Sequence, residues 1–253
     1  MSLPLSNIGV AITRPADQAK KLTKLIETAG GYVISYPLLE IAPLSDFTEF
    51  NRVISDLQNY DWAIFISSNA VENAMPRLIK KGIPKQLKFA AIGPTTAQSL
   101  NAYGIQDTLI PEGRFDSESL LSLPEMHNMQ GKKVLIVRGV GGRELLAETL
   151  KARGAQVTFA ECYQRINPQK DCSALEQASK ENKLHAIVVT SSEAMRNLIT
   201  LSSNQSWINN VTFCVNHERI AELPAKLGLR VITAKTSGDE AMIDLLISLV
   251  DIM

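Results

Sequence analysis

The 253-residue sequence predicts an α/β protein built from two parallel-sheet domains. Three observations lead there. Short apolar runs rich in β-branched residues recur along the chain, as strands covered on both faces require. Helix-length amphipathic stretches separate them, the alternation that produces parallel sheets. About ten such runs are many for one sheet, so two sheets of five are expected.

The first strand is IGVAIT (8–13), and the helical stretch DQAKKLTKLIETAGG follows it. There Ala19, Leu22, Leu25, Ile26 and Ala29 share one stripe, and Gly30 and Gly31 supply the stop. YVISY (32–36) opens an unusually long extended segment, YVISYPLLEIAP (32–43). WAIFIS (62–67), FAAIG (89–93), DTLIP (107–111) and KVLIVR (133–138) are the next strands. QVTFAECYQ (156–164) begins a second long segment running to Pro168, and HAIVVTS (185–191), VTFCV (211–215) and RVITA (230–234) complete the set. Both long segments end in proline. If each leaves one domain and enters the other, residues 1–35 with 169–253 form a discontinuous domain. Residues 44–158 are then inserted into it, and 36–43 and 159–168 are linker strands. Halving near residue 125 also leaves about five strands on each side, so counting keeps both divisions open. WAIFISSNAVENAM (62–75) echoes HAIVVTSSEAMRNLI (185–199), through duplication or through shared βα geometry.

Lysine plus arginine equals aspartate plus glutamate at 26 each, so no global field attracts nucleic acid or a membrane surface. An anion site must come from local placement of arginines and backbone amides. Three cysteines without CxxC spacing argue against a disulfide framework or a zinc site and fit a reducing compartment. No signal peptide or stretch of ~20 apolar residues is visible, so a soluble, cytoplasmic protein is expected.

In open parallel sheets, ligands gather where strand ends feed helix N-termini. Those positions read Thr13-Arg14-Pro15, Ser67-Ser68-Asn69, Gly93-Pro94-Thr95-Thr96, Arg138-Gly139-Val140-Gly141-Gly142-Arg143 and Thr190-Ser191-Ser192. They are hydroxyls, amides, glycines and arginines, suited to holding anions through N–H groups and guanidinium forks. Each hydroxyl is equally what an ordinary N-cap requires. RGVGGRE (138–144) lets a ligand approach the backbone and places Arg143 on the following helix's first turn, but Glu144 stands where a dinucleotide fingerprint needs its last glycine. Glu161 is the nearest candidate for a ribose, and it lies in the extended segment. His127, His185 and His217 are scattered and read as structural or surface residues. Tyr163 sits on the bridging segment, where its phenol is expected to project into a cleft between domains or else to pack the linker.

Several blocks together resemble the bacterial uroporphyrinogen-III synthases. They are ITRPADQAKKL (12–22), YPLLEIAP (36–43), IFISSNAVENA (64–74), AIGPTTAQSL (91–100), KKVLIVRGVGGRELLAETLKARGAQV (132–157), ECYQR (161–165), IVVTSSEAMRNL (187–198) and VNHERIAELPAKLG (215–228). The similarity spans about residues 8–247, and the long block with its ECYQR continuation is its most specific part. The resemblance implies two flavodoxin-like domains joined by a two-stranded linker, one inserted in the other. It implies a lyase that cyclises hydroxymethylbilane, a linear tetrapyrrole bearing acetate and propionate arms, with loss of water and inversion of ring D. It further implies that no metal or cofactor takes part. Tyr163 matches the tyrosine that assists departure of the hydroxyl, and Ser67, Thr96 and Ser191 match cleft-facing positions. The expected substrate-binding set is Arg14, Ser67, Ser68, Asn69, Thr95, Thr96, Arg138, Gly139, Gly141, Gly142, Arg143, Ser191, Ser192 and Asn216. One departure stands out: where some relatives carry a second threonine-bearing loop, this chain has Asn216-His217-Glu218-Arg219. A monomer is expected, with hydroxymethylbilane as partner and transient contact with the upstream hydroxymethylbilane synthase. The competing readings are a non-catalytic binding module for an anionic small molecule and a nucleotide-dependent oxidoreductase, the latter disfavoured by Glu144. The linker segments are expected to act as a hinge.

Overall fold

The computed structural model describes residues 3–203 and 205–250. Its contacts separate two units, Met1–Glu40 with Ile166–Met253, and Ile41–Arg165. The first unit opens with β1 (Gly9–Ile12), α1 (Ala16–Thr28) and β2 (Tyr32–Ser35). Then come β3 (Glu40–Pro43), α2 (Thr48–Ser55), β4 (Trp62–Phe65), α3 (Ser68–Lys81), β5 (Lys88–Ala91), α4 (Pro94–Ala102) and β6 (Thr108–Leu109). After the short α5 (Ser117–Leu121), β7 (Lys133–Gly139), α6 (Leu145–Ala152) and the 11-residue β8 (Gln156–Ile166) complete the second unit's sheet. The chain returns through α7 (Ser173–Lys180), β9 (Ala186–Val189), α8 (Ser192–Leu201), β10 (Thr212–Val215), α9 (Glu218–Lys226), β11 (Val231–Thr233) and α10 (Asp239–Val250). Among the described residues no helix is long and apolar enough to cross a membrane.

The segment 32–43, read from sequence as one extended run, is two strands in two different sheets. Pro37 has no N–H to give a ladder, so pairing stops before it. Leu38 is fully buried just beyond, and the Tyr36 hydroxyl donates to the Asp171 carbonyl, which ties down this connection.

The first sheet runs β2-β1-β9-β10-β11, and the second runs β6-β5-β4-β7-β8 with β3 added beyond β8. Every register given for the ten strands other than β3 is parallel. Alternate residues feed opposite faces, which is why the runs are apolar throughout. On β1 and β9, Ala11, Ile187 and Val189 enter one core, while Val10, Ile12, Ala186 and Val188 enter the other. On β4 and β7, Ala63, Phe65, Leu135 and Val137 face one core, and Trp62, Ile64, Val134 and Ile136 the other.

In its own chain order the first sheet reads 2-1-3-4-5, the flavodoxin-like arrangement. The second has the same spatial order if β7 and β8 take the places of β1 and β2, and β4, β5 and β6 those of β9, β10 and β11. The echoing segments 62–75 and 185–199 therefore occupy equivalent places, β4 with α3 and β9 with α8. Duplication accounts for this correspondence, whereas local βα geometry alone does not require it.

Candidate functional site

In each sheet the connections turn to opposite sides of one strand pair, β1/β9 in the first unit and β4/β7 in the second, and ligand crevices form above the carboxyl ends of such pairs. In the second unit, β4 ends at Phe65 and Ser67 caps α3, its hydroxyl accepting the Ala70 N–H at 3.1 Å. β7 runs on to Gly139 through a register irregularity at Arg138/Gly139, which sets Gly139 opposite Tyr163 on β8. The Val140 N–H continues the pairing by donating to the Tyr163 carbonyl at 2.8 Å.

Tyr163, read as projecting into a cleft or else packing the linker, is a packed residue. It is 1% exposed and packs within the second unit's core, its ring against the bare backbone of Gly139. Its hydroxyl lies 3.3 Å from Ser67 Oγ. The irregular register explains the burial: a glycine opposite leaves space that an aromatic ring fills. The structure thus brings Ser67 and Tyr163 together, and Ser67 is the half-buried member of the pair.

The loop after β7 closes over a cavity of about 280 Å³. Its walls are Ile66, Ile92, Ile136, Leu146, Ala147 and Phe159, and Arg138, Gly139, Gly141, Gly142, Arg143 and Arg165 add polar groups and backbone. Gly141 and Gly142 hold φ of 69° and 106°, in the left-handed region that only glycine enters cheaply. The Glu161 carboxylate accepts the Gly141 N–H at 3.1 Å, so it pins this loop rather than standing ready for a ribose. Arg138 is 3% exposed, with its guanidinium 4.7 Å above the Phe159 ring and its Nε–H donating to Gly139 O at 3.2 Å. Among the described residues no carboxylate forms an ion pair with it. Arg143 lies two residues before α6 rather than on its first turn, because the positive φ of Gly141 and Gly142 is incompatible with helix and α6 begins only at Leu145. It is 77% exposed on its side chain and approaches Glu118 only to 3.6 Å.

The remaining predicted residues of this unit sit on neighbouring loops. Ser68 and Asn69 open α3 half-exposed, Thr95 is exposed, and Thr96 is 6% exposed in the first turn of α4. Phe159 and Arg165 line the cavity but are absent from the sequence-derived set. Phe159 stands in register with Ile136, a pairing that no local motif announces.

In the first unit, Arg14 is not free. It forms an ion pair with Asp239 at the start of α10, both side chains 14% exposed, and its Nε donates to Thr190 Oγ1 at 3.1 Å. The expected carboxylate clamp is here a clamp between β1, β9 and α10. Ser191 caps α8, accepting from the Glu193 and Ala194 N–H groups. Ser192 Oγ and Asn216 Oδ1 are buried without hydrogen-bond partners. His217 spends its Nδ1 on the Arg219 N–H as the cap of α9, which explains why that loop does without a threonine. The cysteines are all buried; desolvation raises the thiols of Cys162 and Cys214 to about 12 and pushes Cys172 up as well.

Comparison with known proteins is consistent across sequence and fold. The family described as "Uroporphyrinogen-III synthase HemD" matches residues 20–244. The uroporphyrinogen-III synthase of Escherichia coli K12 is 34% identical over 237 residues, covering 92% of this chain and 96% of the relative. That of Salmonella typhimurium LT2 is equally similar, at 34% over 237 residues with the same coverage. Among solved structures, a mutant uroporphyrinogen III synthase from Thermus thermophilus superposes with a TM-score of 0.64 at 16% identity, covering 97% of this chain and 100% of that one. The enzyme from Helicobacter pylori 26695 gives 0.59 at 16%, covering 96% and 99%; at such identity the two support the fold alone. By the family match and the identity to full-length relatives, the chain belongs to the uroporphyrinogen-III synthase family.

Proposed function

We propose that the chain closes hydroxymethylbilane to uroporphyrinogen III at the carboxyl edge of the second unit's sheet, with the Ser67–Tyr163 pair handling the departing hydroxyl. The observation that carries the reading is the family match across nearly the whole chain. As a family member the chain is a cyclising lyase of tetrapyrrole biosynthesis. The terminal hydroxyl leaves as water, the far pyrrole attacks the resulting azafulvenium, and rearrangement through a spiro intermediate inverts ring D. Every step is heterolytic and redox-neutral, so no electron carrier is called for.

Tyr163 donates toward Ser67 Oγ, and the Ser67 hydroxyl, with a lone pair already engaged by the Ala70 N–H, turns its own proton outward to the leaving oxygen. Arg143 and the glycine loop hold acidic arms, and their exposure suits a flexible substrate entering from solvent. The larger task is conformational. The bilane also closes unaided to the unrotated type I isomer, so the site must favour spiro attack, an orientation effect that contributes roughly 7–11 kcal/mol in favourable cases.

The deciding experiment mixes purified protein with enzymatically generated hydroxymethylbilane, without added cofactor, and separates the oxidised porphyrins by chromatography. Type III product in excess of the no-protein control is expected. Type I alone, at the uncatalysed rate, refutes the reading.

A further inference from the structure

We propose that the cavity under the β7–α6 loop is a subsite for one short carboxylate-bearing arm, with Arg138 as the specificity-determining residue that grips the carboxylate. The proposal rests on the functional reading above and names a part of the substrate that this site reads. Arg138 offers five N–H donors, yet in the described structure only Nε–H meets a protein acceptor, the Gly139 carbonyl. The cavity-lining Asp116 and the Glu161 in register with Arg138 are otherwise engaged. Asp116 takes the Ser119 N–H and pairs with Arg114, and Glu161 takes the Gly141 N–H. Arg138 is 3% exposed as a residue and lines the cavity without a counter-charge, the arrangement of a binding group open to an anion.

The surroundings select the kind of anion. One face of the guanidinium is covered by Phe159, which leaves its edge as the route of approach, the geometry of a fork meeting a carboxylate side-on. The walls of Ile66, Ile92, Ile136 and Leu146 suit methylene groups rather than a hydrated inorganic ion. Gly142 holds the loop close to this group: a Cβ there would lie 2.8 Å from Arg138 Nη2 and push the guanidinium aside. An acetate or propionate arm carries the same chemistry, one or two methylenes and a planar anion, and both occur on the proposed substrate.

Arg138→Gln, Arg138→Met and Gly142→Ala are compared with the parent by three measurements. These are the KM and kcat of bilane closure, the product isomer ratio, and the rise in melting temperature on adding sodium acetate or sodium propionate at matched ionic strength with sodium chloride. The expected result is a KM increase of about 10–100-fold in Arg138→Gln with kcat less affected. A carboxylate-dependent rise in melting temperature should appear in the parent and vanish in both Arg138 variants. The larger rise identifies the arm. Arg138→Met should melt no lower than the parent in sodium chloride, because it removes an uncompensated charge. If Arg138→Gln keeps the parent's KM and the parent shows no carboxylate-specific rise, the subsite is refuted. If Arg138→Met melts well below the parent and Gly142→Ala, whose added methyl crowds Arg138 Nη2, keeps the parent's KM, Arg138 is a packing residue and the proposal is likewise overturned. A parent that leaves only type I product would instead refute the functional reading, while the carboxylate melting series still decides the subsite.

Discussion

Gly139→Ala should cripple the enzyme through one added methyl. Gly139 adopts no left-handed conformation, so the change brings no backbone strain and the effect is purely steric. The new Cβ would lie 2.5 Å from Tyr163 Cε2 and 2.6 Å from Cζ, against an ordinary carbon contact of about 3.5 Å, so the ring must retreat by about 1 Å. Tyr163 is fully buried among Phe65, Ala70 and Val137, which leaves it no free direction. Overpacking of this kind costs about 1–3 kcal/mol, and drawing the phenol away from Ser67, now at 3.3 Å, costs about 1 kcal/mol more. Together these predict a loss of about 2–4 kcal/mol, or roughly 5–15 °C in melting temperature. A 1 Å misplacement of a reacting group is worth ~10²-fold in turnover. Denaturant titration and the bilane assay measure both quantities. Pairing Gly139→Ala with Tyr163→Leu should relieve the clash and recover much of the stability without recovering the rate. Parent-like stability and turnover in Gly139→Ala would refute the packing argument.

Tyr163→Phe should lower turnover by ~10²-fold while leaving the product mostly type III, on the proposal that the hydroxyl assists departure and anion contacts orient the chain; a parent-like rate would reduce the phenol to packing. Asp239→Asn leaves the partly buried Arg14 without its counter-charge and should cost about 2–3 kcal/mol, somewhat below the ~3–5 of full burial, as read by urea unfolding. His185 accepts the Gly9 N–H at 3.0 Å, and burial holds its pKa below the ordinary 6.5. The unfolded chain therefore binds the proton first, and stability complete above about pH 6.5 should fall as pH drops toward the folded-state value, a slope that His185→Gln should flatten. The three buried thiols, all raised in pKa, should resist alkylation at pH 8 in the native protein and react fully in denaturant, as counted by mass spectrometry.

The strands were legible because burial on both faces leaves a continuous apolar run, and each of the ten runs contains or overlaps an observed strand. The change of sheet after residue 35 was expected only as one of two divisions that strand counting left open, because the destination of β3 depends on β8, more than a hundred residues away. Strand-end loops were equally readable, since hydroxyls and glycines between a strand and a helix mark the carboxyl edge. What each side chain does there was not. Arg14 and Arg138 occupy similar positions in sequence, yet Asp239 neutralises the first and no carboxylate pairs with the second. That difference is set by α10, some 225 residues along the chain from β1. Whether Tyr163 was open or packed stayed undecided in the sequence because the register irregularity opposite Gly139 leaves no mark in the local pattern.

The exchanged placement of the two half-sheets also sets a timetable for synthesis. Residues 41–165 emerge as a continuous stretch and can complete their sheet on the ribosome without anything that follows. The opening β1–α1–β2 segment cannot do so. Its central strand waits for β9, with Val10 paired to Ala186, so it must remain unpaired along one apolar edge while most of the chain is made. Closing a loop of that span adds entropy only slowly with length, but the waiting edge is exposed throughout. For this protein, the vulnerable interval in the cell is the time between the first strand and the ninth, and that is where chaperone engagement and aggregation should concentrate.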